Sequence, residues 1–158
     1  MASKTKDIQR LWWDWLGTSE RLLRSLSEQT RALVTRDVSR IEALQPELET
    51  MLSRMRIIDD HAAAAAAKLA EDLGTEPTLR GITAALSETE AQQVRSIANR
   101  VRVVARNVEE MLDKNRTLIE NELTYVNGSL ALIAKASTER DGRYSQAQGG
   151  PIVLDQVA

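Results

Sequence analysis

The 158 residues contain no cysteine, which excludes disulfides, thiolate metal sites and a cysteine nucleophile in one step. Phenylalanine is missing too, and the aromatics are limited to three Trp and two Tyr. A β-sandwich or α/β core draws on more rings than that, whereas Leu, Ile, Val and Ala among many Glu and Arg suit long helices. No apolar run approaches the roughly 18–20 residues of a membrane span. The longest is the alanine tract Ala62 to Ala67. The opening residues, Met1 to Asp7, lack the apolar segment of a signal peptide and lead into a mixed-charge pattern. A cytoplasmic location with no membrane span is therefore expected. Neither sign of charge dominates: the net charge is −2, with Lys and Arg interspersed among Asp and Glu. No basic face of the size that nucleic acid requires is visible, so no nucleic-acid partner is expected.

Catalytic constellations are equally scarce. His61 is the single histidine. A di-iron carboxylate bundle needs two Glu-x-x-His motifs, and here Ile58 stands three residues before the one His. A zinc site would have to come almost wholly from carboxylates. Asp59, Asp60 and His61 are consecutive, and neighbours on a helix point about 100° apart, so they do not converge on one substrate. Gly149-Gly150-Pro151 follows no strand and makes no phosphate loop. The expectation is a non-enzymatic protein with no catalytic residues, no metal site and no cofactor.

What is present is helical periodicity. Across residues 7–35, Ile8, Leu11, Trp12, Trp15, Leu16, Leu22, Leu23, Leu26, Leu33 and Val34 recur at spacings of three and four, one face of a helix. Trp12 and Trp15 share that face. Trp13 points elsewhere, toward a hairpin flank, a dimer contact or a partner groove. Asp37 caps a second start, and Val38, Ile41, Leu44, Leu48, Met51, Leu52, Met55 and Ile58 continue the pattern. Pro46 either kinks this helix or opens a fresh one. Gly74 is the expected stop, and Thr75-Glu76-Pro77 a turn. A short helix follows from about Pro77 to Leu86. Ser87-Glu88-Thr89-Glu90 then matches a capping box, from which the pattern runs without proline to about Ser137. At 1.5 Å per residue that last helix would be on the order of 75 Å long and must lie against others. The expected fold is all-α: an elongated antiparallel helical hairpin or bundle with one long C-terminal helix, a single helical domain over 1–137. A polar, glycine-bearing tail over 138–158 is expected to be flexible, ending near the apolar patch Ile152-Val153-Leu154.

The long helix changes character along its length. Val94, Val101 and Val108 hold one heptad position, and Ile97, Val104 and Met111 the other, as in a coiled coil. Beyond Met111 the valine position becomes Asn115, Glu122 and Ser129, while apolar residues appear in pairs: Leu118/Ile119, Tyr125/Val126 and Leu132/Ile133. With Leu123 and Leu130 flanking them, the large apolar residues from Leu118 to Ile133 cover an arc of about 180°. Between Val94 and Leu112 the arc is about 100°, with Val103 alone off the face. A hairpin partner needs little more than that narrower arc. The excess marks a partner surface or self-association, unless another helix such as the Trp-bearing first one covers it. Arg95, Arg100, Arg102 and Arg106, followed by Glu109, Glu110 and Asp113, form a solvated face or one meeting an acidic partner.

Asn115-Arg116-Thr117-Leu118-Ile119-Glu120, with Leu123, Val126, Gly128, Leu130, Leu132 and Ile133, resembles the C-terminal helix signature of the FlgN family of flagellar export chaperones. That signature begins Asn-Gly-x-Leu-(Leu/Ile)-Glu, and Arg116 stands here in place of its glycine. Tyr144 to Gly149 is similar to the family's Tyr-Asx-x-x-Gly segment, with Ser145 for Asx and the glycine one residue late. Upstream, Leu33 to Leu52 is similar to the family's Leu-x-x-Gly-Asp junction, with Arg36 where glycine is common. The resemblance implies a helical cytoplasmic chaperone that binds the C-terminal helices of hook-associated, hook-filament junction proteins. It would prevent their premature assembly and deliver them to the flagellar type III export gate. Carried onto this chain, the partner-binding surface is Leu118, Ile119, Leu123, Tyr125, Val126, Leu130 and Ile133. The other reading is a structural or adaptor coiled coil that uses the same stripe to self-associate, as a homodimer or larger.

Overall fold

Periodicity becomes architecture through the helix ends. The computed structural model describes residues 4–144, all-α among those residues. Helix α1 spans Lys6–Thr35 and stops because Arg36 adopts the left-handed conformation at φ 55° and ψ 39°. Asp37 N–H then donates to the Ala32 carbonyl at 2.9 Å, which closes the last turn. Helix α2, Val38–Leu73, starts at once: the Asp37 carboxylate accepts from Arg40 N–H at 3.1 Å, the expected N-cap. It ends as expected at Gly74, also left-handed at φ 66°, with Thr75 N–H donating to the Ala70 carbonyl at 2.9 Å.

Pro46 does not open a new helix. α2 runs through it, and Pro46 faces solvent, where water can serve the Glu42 carbonyl that proline's missing N–H leaves unbonded. Helix α3 is shorter than the sequence suggests, Leu79–Ala84, and is capped by Thr78, whose hydroxyl accepts from Gly81 N–H at 3.0 Å. A Cβ on Gly81 would lie 2.8 Å from Thr75 Oγ1 and 2.9 Å from the Glu76 carbonyl, so the tight turn requires glycine there. Helix α4 spans Glu88–Tyr144, with Glu90 N–H on Ser87 Oγ at 3.3 Å at its start. It runs past Ser137, the expected end, because Thr138 to Tyr144 contains no proline and a lone Gly142 costs only about 1 kcal/mol. The chain beyond Tyr144, with the Ser145–Gly149 similarity and the Ile152-Val153-Leu154 patch, lies outside the described residues.

The chain forms two compact units, Met1–Asn115 and Arg116–Ala158. In the first, α2 runs antiparallel to α1, as the pairs Ser25–Glu47 and Glu28–Arg40 show. The start of α4 runs parallel to α1, with Trp13 beside Arg100, Ser27 beside Met111 and Thr30 beside Asn115. A core of Trp15, Leu22, Leu26, Leu44, Leu48, Met55, Ile58 and Val108 lies where the three meet. A smaller cluster, Ile8, Leu69, Ala70 and Ile82, closes the α3 end, and Ala65 and Ala66 of the alanine tract pack against it. The expected heptad seam is present: Val94, Ile97 and Val108 are buried, and Val101, Val104 and Met111 half-buried. Of the second unit, the described residues are the remainder of α4.

Candidate functional site

The change of grammar in α4 falls at Asn115, and its side chain accounts for the change. Asn115 is 2% exposed in the seam position where valines stand one and two heptads earlier. Its Nδ2 donates to the Leu26 carbonyl at 3.0 Å and to Gln29 Oε1 at 2.8 Å. Its Oδ1 accepts from the Thr30 hydroxyl at 2.6 Å. Both amide hydrogens and the amide oxygen are therefore satisfied, all by one turn of α1. A buried amide in an otherwise apolar seam is stable only where its partners stand, so it fixes the register of α4 against α1. Gln29 and Thr30 were not singled out in the sequence. The available signal was that polar residues interrupt the apolar stripe of α1 between Leu26 and Leu33.

After Asn115 burial stops. No residue from Arg116 to Glu139 is buried. Of the seven expected binding residues, Leu118 and Leu130 are half-buried and Ile119 lies at the margin, 36% exposed. Leu123, Tyr125, Val126 and Ile133 are exposed, at 57% for Leu123 and 65% for Ile133. Leu132, outside that set, is exposed as well. Six of the eleven exposed large hydrophobics among the described residues fall between Ile119 and Ile133. The rest, Trp13, Val34, Val38, Ile57 and Val103, are distributed over three helices, as single surface apolars usually are. Apolar side chains exposed along one helix face, here on either side of Glu122 and Ser129 at its middle, are the geometry that an amphipathic partner helix covers. Charged residues bound it, including Glu120, Lys135 and Glu139.

The tryptophans divide as their helical phase requires. Trp15 is buried in the main core, and Trp12 is half-buried against the smaller one. Trp13 is 48% exposed, with the Arg100 guanidinium 5.2 Å from its ring centroid, a cation–π pair on the α1–α4 flank. An apolar cavity of about 240 Å³ between Ile8, Trp12, Leu69, Ile82 and Val94 is small for a ligand, and its Thr78 is already a helix cap. Asp59 has its carboxyl pushed above the usual range by partial burial and by the charge of Asp60, against a hydrogen bond from Trp15 that favours the ionised form. His61 is exposed beside it. Among the described residues no group of three His, Asp or Glu is arranged to hold a metal, and no helix is long and apolar enough to cross a membrane.

Comparison with known proteins adds one finding to this geometry. The family described as FlgN protein matches residues 1–149, nearly the whole chain. No curated protein and no solved structure matches it.

Proposed function

Because the chain belongs to the FlgN family, a family of flagellar export chaperones, we propose that it holds hook-filament junction proteins in the cytoplasm before their export and delivers them to the export gate. The observation that supports this reading is the apolar stripe of α4 beyond Asn115, exposed at Leu123, Tyr125, Val126 and Ile133. A C-terminal helix of a junction subunit would lay its own apolar face along Leu118, Ile119, Leu123, Tyr125, Val126, Leu130 and Ile133. Water leaves both surfaces, and the subunit's assembly face is masked for as long as the pair persists. A stable complex of this kind buries on the order of 1,200–2,000 Å² in total. The chemistry is binding throughout and involves no covalent step.

The test is the double substitution Leu123→Asp, Leu130→Asp, with light scattering of the full chain alone and with a purified junction-subunit fragment. The native chain should form a defined complex, and the double variant none, while its helical circular dichroism stays within a few per cent of native. Collapse of helicity would show that these leucines hold the fold together. A dimer or tetramer that grows with concentration, ignores the fragment and dissociates in the double variant would establish the self-associating reading in place of this one.

A further inference from the structure

Arginine is unevenly placed in this chain. The stretch from Ala91 to Val108 holds four arginines and no acidic residue, although the whole molecule carries a net charge of −2. Arg100 is engaged on the Trp13 ring. Arg95 and Arg102 are seven residues apart, which places them along one line of α4 about 10 Å from each other. Arg80, remote in sequence, comes to the same place from α3. The three guanidinium-bearing chains line one open groove of about 460 Å³ with Leu79, Thr83 and Ala84. All three arginines are exposed, and none forms an ion pair with a described residue. The groove's one hydroxyl is occupied, since Thr83 Oγ1 donates to the Leu79 carbonyl at 2.8 Å. What remains is an apolar floor and a cationic rim.

We propose that this groove, in the first unit, binds an acidic segment of a partner protein. One apolar side chain of that segment rests between Leu79 and Ala84, and carboxylates on either side meet Arg95 and Arg102, with Arg80 closing the third side. The spacing sets the pattern the partner must carry. Carboxylates about 10 Å apart on one face are i and i+7 on a helix, with the apolar residue one turn in between them. A guanidinium binds a carboxylate through two parallel N–H donors, which gives this site geometry as well as charge. Nucleic acid fits less well: the groove has no aromatic on which a base would stack, and beyond Arg106 the arginine line runs into Glu109, Glu110 and Asp113. This surface is separate from the α4 stripe and does not depend on the chaperone reading.

The experiment uses the full chain and fluorescence anisotropy at low salt. The probe is a labelled alanine-based helical peptide with Glu at i and i+7 and Leu at i+4; controls are the same peptide with both Glu changed to Gln, and an oligothymidine. The acidic peptide should bind, and the glutamine peptide should bind at least about tenfold more weakly, the equivalent of 1.4 kcal/mol. Arg95→Gln with Arg102→Gln should reduce acidic-peptide binding by about tenfold or more at unchanged helical circular dichroism, since both residues are exposed. Arg21→Gln with Arg24→Gln, on α1, should leave it within about twofold, so that a response to general surface charge is separated from a response to this groove. Four results would overturn the proposal: no binding of the acidic peptide, equal binding of the glutamine peptide, an equal loss in the α1 pair, or tighter binding of oligothymidine than of the peptide.

Discussion

Asn115 is where residue-scale chemistry governs most. It makes three direct hydrogen bonds to Leu26, Gln29 and Thr30, so removing the amide leaves the buried Gln29 side chain to find another partner, while the Thr30 hydroxyl keeps the Leu26 carbonyl at 2.9 Å. Asn115→Ala should therefore cost about 1–3 kcal/mol, read as a lower denaturant midpoint at unchanged slope. Asn115→Val would restore the apolar seam and cost less, but would no longer specify one register. The asparagine of the family signature thus has a structural role in this chain, distinct from the leucines that follow it. Asp59 makes a second residue-scale case. Its folded carboxyl holds its proton more tightly than an unfolded one, so the ionised form lowers stability at neutral pH, and acidification through the raised value relieves the penalty. Asp59→Asn should melt higher than native at pH 7 while still accepting from the Trp15 indole. The gap in melting temperature should close as the pH falls into the ordinary carboxylate range.

At the scale of elements, the helix ends follow local chemistry and the helix faces do not. Arg36 ends α1 in a left-handed conformation that is strained for any residue with a Cβ. The same position carries glycine in the family junction that this stretch resembles, and the geometry explains why glycine suits it. Arg36→Gly should raise stability by about 0.5–1 kcal/mol, the relief of strain exceeding glycine's extra unfolded-state entropy. Thermal unfolding of the two proteins side by side measures it. Within α4 the seam of Val94, Ile97 and Val108 and the stripe around Leu123 are both apolar, yet one is buried and the other is not. Arc width was the clue: a face of about 100° suits one neighbouring hairpin, and one of about 180° exceeds it. Thr83, Ser19 and Gln29 show the limit of such reasoning. They are polar, they are buried, and nothing in their spacing announces it.

Taken as a whole molecule, the chain divides its stability unequally. The first unit contains both apolar clusters and the Asn115 contacts. In the second, no residue from Arg116 to Glu139 is buried, so its backbone hydrogen bonds are protected by little besides the helix itself. Amide hydrogen exchange followed by mass spectrometry should show peptides within 116–139 exchanging at least about tenfold faster than peptides within 94–108. An occupant on the stripe would slow the first set and leave the second unchanged.

Much was decided by the residues alone. The lack of cysteine and of long apolar runs, the apolar faces of α1, α2 and α4 apart from the exposed Val34 and Val38, the Asp37 cap, the Gly74 stop and the broad stripe of α4 were all legible. Each depends on groups within a few residues of one another, where backbone hydrogen bonding and the 3.6-residue turn set the outcome locally. The parallel pairing of α1 with α4, the burial of Asn115 against residues almost ninety positions earlier, and the meeting of Arg80 with Arg95 and Arg102 belong to tertiary structure. Those arrangements compare the cost of drying a polar group with the hydrogen bonds a distant segment can offer it, and no local pattern contains both sides of that comparison.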